Sequence, residues 1–204
     1  MKSNNVNADS NDKLQASEQA AKLIPESIDL CKHGEYERAF HIIQQALRLA
    51  KTAENSSQIA HCFNVHGIIV RNWGQFTRAI EYFNKSLYLY EKYGTQKNVA
   101  TLLGNLAVAY RNINDYSKSL EYFKQALAIC EHLEDQELVA NTYGNLGNLY
   151  RNLEEYNQAL EFYKRSLEIG ERTGDTANIE RQLGNIGNVY SNLKDFELES
   201  GNGR

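Results

Sequence analysis

Apolar positions in this chain recur on two nested periods, one of three to four residues within a segment and one of 40 residues between segments. Leu103, Leu106, Ala107 and Tyr110 step by three and four, which gathers them on one side of an α-helix and leaves the other side to solvent or ligand. The next segment repeats the behaviour with Leu120, Phe123, Ala126, Leu127 and Cys130, then breaks at Glu134 and Asp135. The pattern predicts a helix of roughly 15 residues, a turn of two or three, a second helix of roughly 16 and a short loop. Gly34 and Gly74 fall at the inner turns, and Gly94 and Gly174 fall in the outer loops.

The longer period is visible residue by residue. The segment GNLGNLYRNLEEYNQALEFYKRSLEIG at 144–170 has a counterpart 40 residues earlier and the start of another 40 residues later. Leu146, Gly147 and Tyr150 recur as Ile186, Gly187 and Tyr190, as Leu106, Ala107 and Tyr110, and more loosely as His66, Gly67 and Val70. An aromatic, a small residue three later and a bulky one four after that follow each time: Phe76, Ala79, Phe83; Tyr116, Ser119, Phe123; Tyr156, Ala159, Tyr163. Tyr36, Ala39 and Ile43 extend this signature backwards, although the helix before them keeps only Leu30 and carries Glu26 and Ser27 in the apolar and glycine slots. A unit this short cannot bury its apolar face alone, so the copies must stack.

These residues resemble the tetratricopeptide repeat family, whose motif is an apolar residue, glycine and tyrosine in a first helix and alanine and an aromatic in a second. The match is close over 60–198 and weak over 14–56. The usual period is 34 and the usual closing proline is absent, Pro25 being the only proline. The longer period looks like the subclass found in spindle-orientation adaptors and in bacterial signalling proteins. HEAT and armadillo arrays share the period and lack the glycine, tyrosine and alanine spacing. The resemblance implies an all-α, right-handed superhelical solenoid of antiparallel helix pairs that serves as a protein-binding scaffold. The expected repeats are 17–56, 57–96, 97–136 and 137–176 with a partial fifth at 177–198, flanked by an unstructured polar segment at 1–12 and a flexible one at 199–204.

Composition changes this picture little. The chain has 204 residues and a net charge of −4, which gives no general reason to expect nucleic acid or an acidic membrane. There is no apolar run of signal-peptide or membrane-spanning length, so the expectation is a cytoplasmic protein. Three cysteines without paired spacing argue against a disulfide framework, and Cys31, Cys62 and Cys130 read as small buried apolar residues.

The candidate functional residues occupy the side of each first helix that the packing stripe leaves free. They are Asn105, Asn145 and Asn185; Asn148 and Asn188; and the pairs Arg71 Asn72, Arg111 Asn112 and Arg151 Asn152, with Asn192 last. Asn145, Asn148 and Arg151 or Asn152 step by three and four and share a face. In the resembled family this is the concave wall, where stacking makes ladders. An asparagine amide pairs with the backbone of any extended peptide, and arginine forks onto carboxylate or phosphate. The implied partner is an extended or partly helical acidic peptide, crossing one rung about every three residues. Gly104, Gly144 and Gly184 on the same side fit a groove held open for another backbone. A structural role competes with all of these: cations in a last helical turn also compensate the helix dipole, and the asparagines and glycines also serve helix packing.

Other chemistries find less in the sequence. His61, Cys62 and His66 form the only metal-like cluster, with the histidines on diverging faces and no acid beside them; His66 falls in the packing stripe, so neither metal nor cofactor is expected. Glu154 and Glu155 read as a solvated helix start. RNA binding would use the same arginines with stacking aromatics, but Tyr110, Tyr150 and Tyr190 sit in packing slots. The carboxylate clamp of chaperone-binding relatives is not reproduced, because Gly144 stands where its lysine is expected. At the C-terminal end the first helix is expected to run to Asn192, and FELESGNGR is too short and polar to form a second. That leaves an apolar side half covered: either the chain is a fragment of a longer array or module of a larger signalling protein, packing on its own copies or domains, or the edge is closed by self-association through 180–198 as a homo-oligomer.

Overall fold

The computed structural model describes the backbone of residues 3–201 and the side chains of residues 10–193. Its helices, in chain order, are α1 (Ser3–Lys32), α2 (Tyr36–Thr52), α3 (Ser56–Asn72), α4 (Phe76–Tyr93), α5 (Gln96–Asn112), α6 (Tyr116–His132), α7 (Gln136–Asn152), α8 (Tyr156–Thr173) and α9 (Thr176–Gly201). No strand occurs among the described residues. The chain divides into two compact units, Met1–Ile113 with α1 to α5 and Asn114–Arg204 with α6 to α9.

Helix ends repeat on the 40-residue period because the capping residues do. Asn55, Asp135 and Asp175 each accept a hydrogen bond from the backbone N–H three residues on, at 3.0–3.1 Å, and Thr95 forms a reciprocal capping box with Asn98. At the other ends the chain turns through left-handed backbone. Residues 34, 74, 114 and 154 all have positive φ, as do 54, 134 and 174. The following N–H then reaches back five residues, from Glu35 to Leu30, Gln75 to Val70 and Glu155 to Tyr150, which satisfies carbonyls the helix leaves orphaned. Gly94 departs from this scheme with φ −99.

Packing follows the predicted stripes. Ala39, Ala79, Ser119 and Ala159 are fully buried, as are Ile43, Phe83, Phe123 and Tyr163 four residues later. The first-helix glycine explains the pairing. A Cβ on Gly67 would lie 2.4 Å from the Phe83 ring, and one on Gly147 would lie 2.5 Å from the Tyr163 ring, so each glycine is a notch that takes an aromatic knob from the next helix. Ser86 and Ser166 bind across the same pairs, each donating to a carbonyl, of Ala60 and Ala140, at 2.7 Å. In the first repeat the notch residue is Ser27, buried and bonded to the Ile24 carbonyl.

Both ends differ from expectation. The segment expected to lack structure at 1–12 is helical from Ser3, while Met1 and Lys2 lie outside the described residues. α9 does not stop near Asn192 but continues to Gly201, and only 202–204 of the expected flexible tail lie outside the described residues. The polar sequence after Asn192 offers no apolar stripe to fold back, so the backbone keeps its i→i+4 bonds instead of turning. Tyr190 is 53% exposed, contrary to the packing slot read for it.

Candidate functional site

The polar residues of the first helices fall into two groups, one in each unit. In the first unit a continuous chain of hydrogen bonds runs across three first helices. Asn105 on α5 donates to Asn64 Oδ1 at 3.0 Å, and Arg71 on α3 donates to Asn105 Oδ1 at 3.4 Å and to Asn72 Oδ1 at 3.3 Å. Asn72 in turn points its amide at the Cys31 sulfur of α1, 3.5 Å away. Arg71 is half-buried, and burial lowers its pKa from the ordinary guanidinium value. Its hydrogen-bond partners are neutral amide oxygens, and no carboxylate pairs with it among the described residues. Arg111 and Asn112 end α5 in the same unit, both half-buried.

The second unit holds its side chains more loosely. Asn148 accepts a 2.9 Å bond from the buried Tyr163 hydroxyl, which orients its amide and keeps its N–H groups available. Asn145 and Arg151 are half-buried and Asn152 is exposed, and none of the three side chains has a hydrogen-bond or ion-pair partner among the described residues. On α9, Asn185 donates to Gln182 Oε1 at 3.2 Å, while Asn188 and Asn192 are exposed. Asn105 and Asn148 thus bond to neighbouring helices and Asn185 within its own, while Arg151 stands in the last turn of α7.

The open-groove reading of the glycines needs correction at one position. Gly144 is buried, and a Cβ there would meet the Gln182 amide at 2.9 Å, so this glycine admits a side chain of α9. A Cβ on Gly104 or Gly184 would meet nothing within 4 Å beyond its own helix. Three participants were not singled out in the sequence: Asn64, and the pair Arg181 and Asn141, which bridges α9 and α7 at 2.9 Å. Arg181 and Asn141 stand 40 residues apart, so the repeat register was the available signal.

The histidine and cysteine cluster is core. His66 is 1% exposed, its Nδ1–H donates to the Cys62 carbonyl at 3.0 Å, and its ring stacks on Tyr82 and meets Phe40 edge-on. Burial pushes its pKa down to about 4 and the Cys62 thiol up to about 12, so one is a neutral ring and the other an unreactive thiol near neutral pH. Cys31, Cys62 and Cys130 are buried and unbridged, and no group of three His, Cys, Asp or Glu among the described residues is placed to hold a metal ion. Nor is any helix among them long and apolar enough to cross a membrane.

The residues that form these helix pairs are those a family model scores. The model for the Tetratricopeptide repeat matches residues 64–132 and 138–198, more than half of the chain. The chain belongs to the tetratricopeptide repeat family. Its all-α helical repeat array is that of a protein-interaction scaffold. BtubC (BKLC) from P. vanneervenii has the same fold, with TM-score 0.69 at 20% identity over 93% of this chain and 86% of that one. A putative kinesin light chain from Podosopora anserina, with nearly identical TPR-like repeats, gives 0.68 at 14% over 88% and 89%. Aspartyl phosphate phosphatase F from Bacillus subtilis gives 0.74 at 16% over 90% of this TPR array but only 51% of its own chain. At such identities the likeness is one of fold. A comparison with curated protein sequences returns no match.

Proposed function

We propose that this TPR array is a non-enzymatic scaffold whose first-helix faces bind an extended or partly helical acidic peptide. The observation that carries the reading is Arg71, a half-buried guanidinium held on amide oxygens with no acid beside it. Amides orient such a cation without neutralising it, and a carboxylate or phosphate arriving from outside completes the pair with charge-assisted bonds. Asn72, Asn105, Arg111 and Asn112 accompany it in the first unit. In the second unit Arg151 supplies the cation, and Asn145, Asn148, Asn152, Asn185, Asn188 and Asn192 supply amides that suit a peptide backbone.

The test is fluorescence anisotropy with a labelled peptide carrying glutamate at every third position, titrated with the wild-type chain and with Arg71→Gln, Arg71→Lys and Arg151→Gln. A charge-assisted bond contributes about 1.5–3 kcal/mol, so each glutamine variant should weaken binding by about tenfold or more. Arg71→Lys keeps the charge without the fork and should fall between. Unchanged affinity in both glutamine variants, with helical circular dichroism intact, contradicts the proposal.

A further inference from the structure

Within the first unit, α1, α3, the last turn of α4 and the start of α5 line a hollow of about 440 Å³. Its wall on α1 is apolar: Ile24 is buried, Ile28 is half-buried, and Ala21 and Pro25 form an exposed rim. Its remaining lining is polar, with Ser57 and His61 on α3, Asn98 on α5 and Tyr90, only 4% exposed, on α4. None of the lining side chains carries a formal charge near neutral pH. His61 stands ten residues before Arg71 on the same helix, about 15 Å along its axis, so the hollow is separate from that cation.

The repeat register shows that this lining is not a by-product of packing. The slot of Tyr90 is held by Ala50, Cys130 and Gly170 in the other repeats, all small and buried, so packing there does not call for a ring. The turn after α4 is shaped around that ring. A Cβ on Gly94 would lie 2.7 Å from Tyr90 Cδ1, and Gly94 is the turn residue that departs from the left-handed scheme. The Tyr90 hydroxyl lies 3.3 Å from His61 Nδ1. Burial pushes the Tyr90 pKa up to about 12 and lowers that of His61, so the phenol keeps its proton, donates to Nδ1 and leaves the ring proton on Nε2.

The other polar groups divide unequally into donors and acceptors. His61 Nε2–H, the Ser57 hydroxyl and Asn98 Nδ2 have no partner among the described residues, whereas Asn98 Oδ1 already accepts from the Thr95 N–H and hydroxyl. Gln58 is closed in both directions by Ser17. Pro25 has no N–H, so the Ala21 carbonyl lacks the bond a helix ordinarily gives it. Several donors and one backbone acceptor thus stand beside an aliphatic wall. We propose that this hollow binds a small uncharged carboxamide with an apolar body. The amide oxygen takes the donors of His61, Ser57 and Asn98, the amide N–H goes to the Ala21 carbonyl, and the body lies on Ile24, Pro25 and Ile28. A carboxylate finds no cation in the lining and has nothing to give Ala21, and an ammonium group finds no anion.

Phenylacetamide is the probe, with phenylacetate and phenethylammonium as charged counterparts of similar size. Each is titrated into the full 204-residue chain and followed by the chemical shifts of the His61 ring and the Ile24 and Ile28 methyls. Saturable binding of phenylacetamide is expected, with both charged compounds weaker by about tenfold or more. Ala21→Trp fills the hollow from its exposed rim and should abolish binding with helical circular dichroism intact. His61→Phe keeps a ring without the N–H and should weaken binding by about three- to tenfold. Arg71→Gln should leave it unchanged, which separates this site from the acidic-peptide reading. Absence of phenylacetamide binding by the wild-type chain, equal or tighter binding of either charged compound, or wild-type affinity in Ala21→Trp would each overturn the proposal.

Discussion

Glu154 holds left-handed backbone, φ 61, at a turn position where Gly34 and Gly74 stand three and two periods earlier. A side chain there costs about 1–2 kcal/mol that glycine avoids, partly offset by the greater freedom of glycine in the unfolded chain. Glu154→Gly should therefore raise unfolding free energy by about 0.5–1 kcal/mol, measured by urea denaturation. His66 imposes a dependence on pH. It is neutral when folded, with Arg78 and Lys85 nearby adding to the burial that disfavours its charged form, and its folded pKa of about 4 lies below the unfolded value of 6.5. Between those values the unfolded state binds more protons, so stability is full above pH 6.5 and falls as pH drops towards 4, by up to about 3 kcal/mol. His66→Phe should remove that part of the acid slope in denaturation curves recorded across the window. A slope unaltered by the substitution would contradict the assignment.

At the scale of the element, the helix pair is defined by a notch and a knob, and the same glycine has opposite value in different pairs. Gly147→Ala forces its methyl against the Tyr163 ring and should cost about 1–3 kcal/mol. Gly187→Ala meets nothing and should gain up to about 1 kcal/mol from helix propensity. Paired thermal melts of the two variants decide the matter. Most of this element was legible in the chain: the stripe of Leu106 and Ala107, the knobs Phe83 and Tyr163, and the turns at Gly34 and Gly74 all follow from local periodicity and backbone sterics. What was not legible depends on whether a partner is present. Tyr190 repeats Tyr150 in sequence, yet one is exposed and the other stacks on Phe162 of α8. Gly144 looks like Gly104 and Gly184, but only Gly144 has Gln182 against it.

At the scale of the whole molecule, repetition sorts each first helix into a packed side and a polar side, and the polar sides carry arginine and asparagine on a chain of net charge −4. The cations are thus placed locally, against the overall balance, and the proposal of an acidic ligand rests on these faces and not on the bulk charge. The sequence showed which residues share a face, but not that Arg71 would be drawn into a network with Asn105 and Asn64, since such bonds depend on side-chain reach between neighbouring helices. The most direct measurement is isothermal titration of the full chain with the glutamate-every-third peptide and with its glutamine counterpart, at about 0.05 M and about 0.5 M salt. The account predicts binding of the glutamate peptide that weakens as salt rises, and loss of binding with glutamine. Equal affinity for the two peptides, or affinity for the glutamate peptide that does not respond to salt, would contradict it.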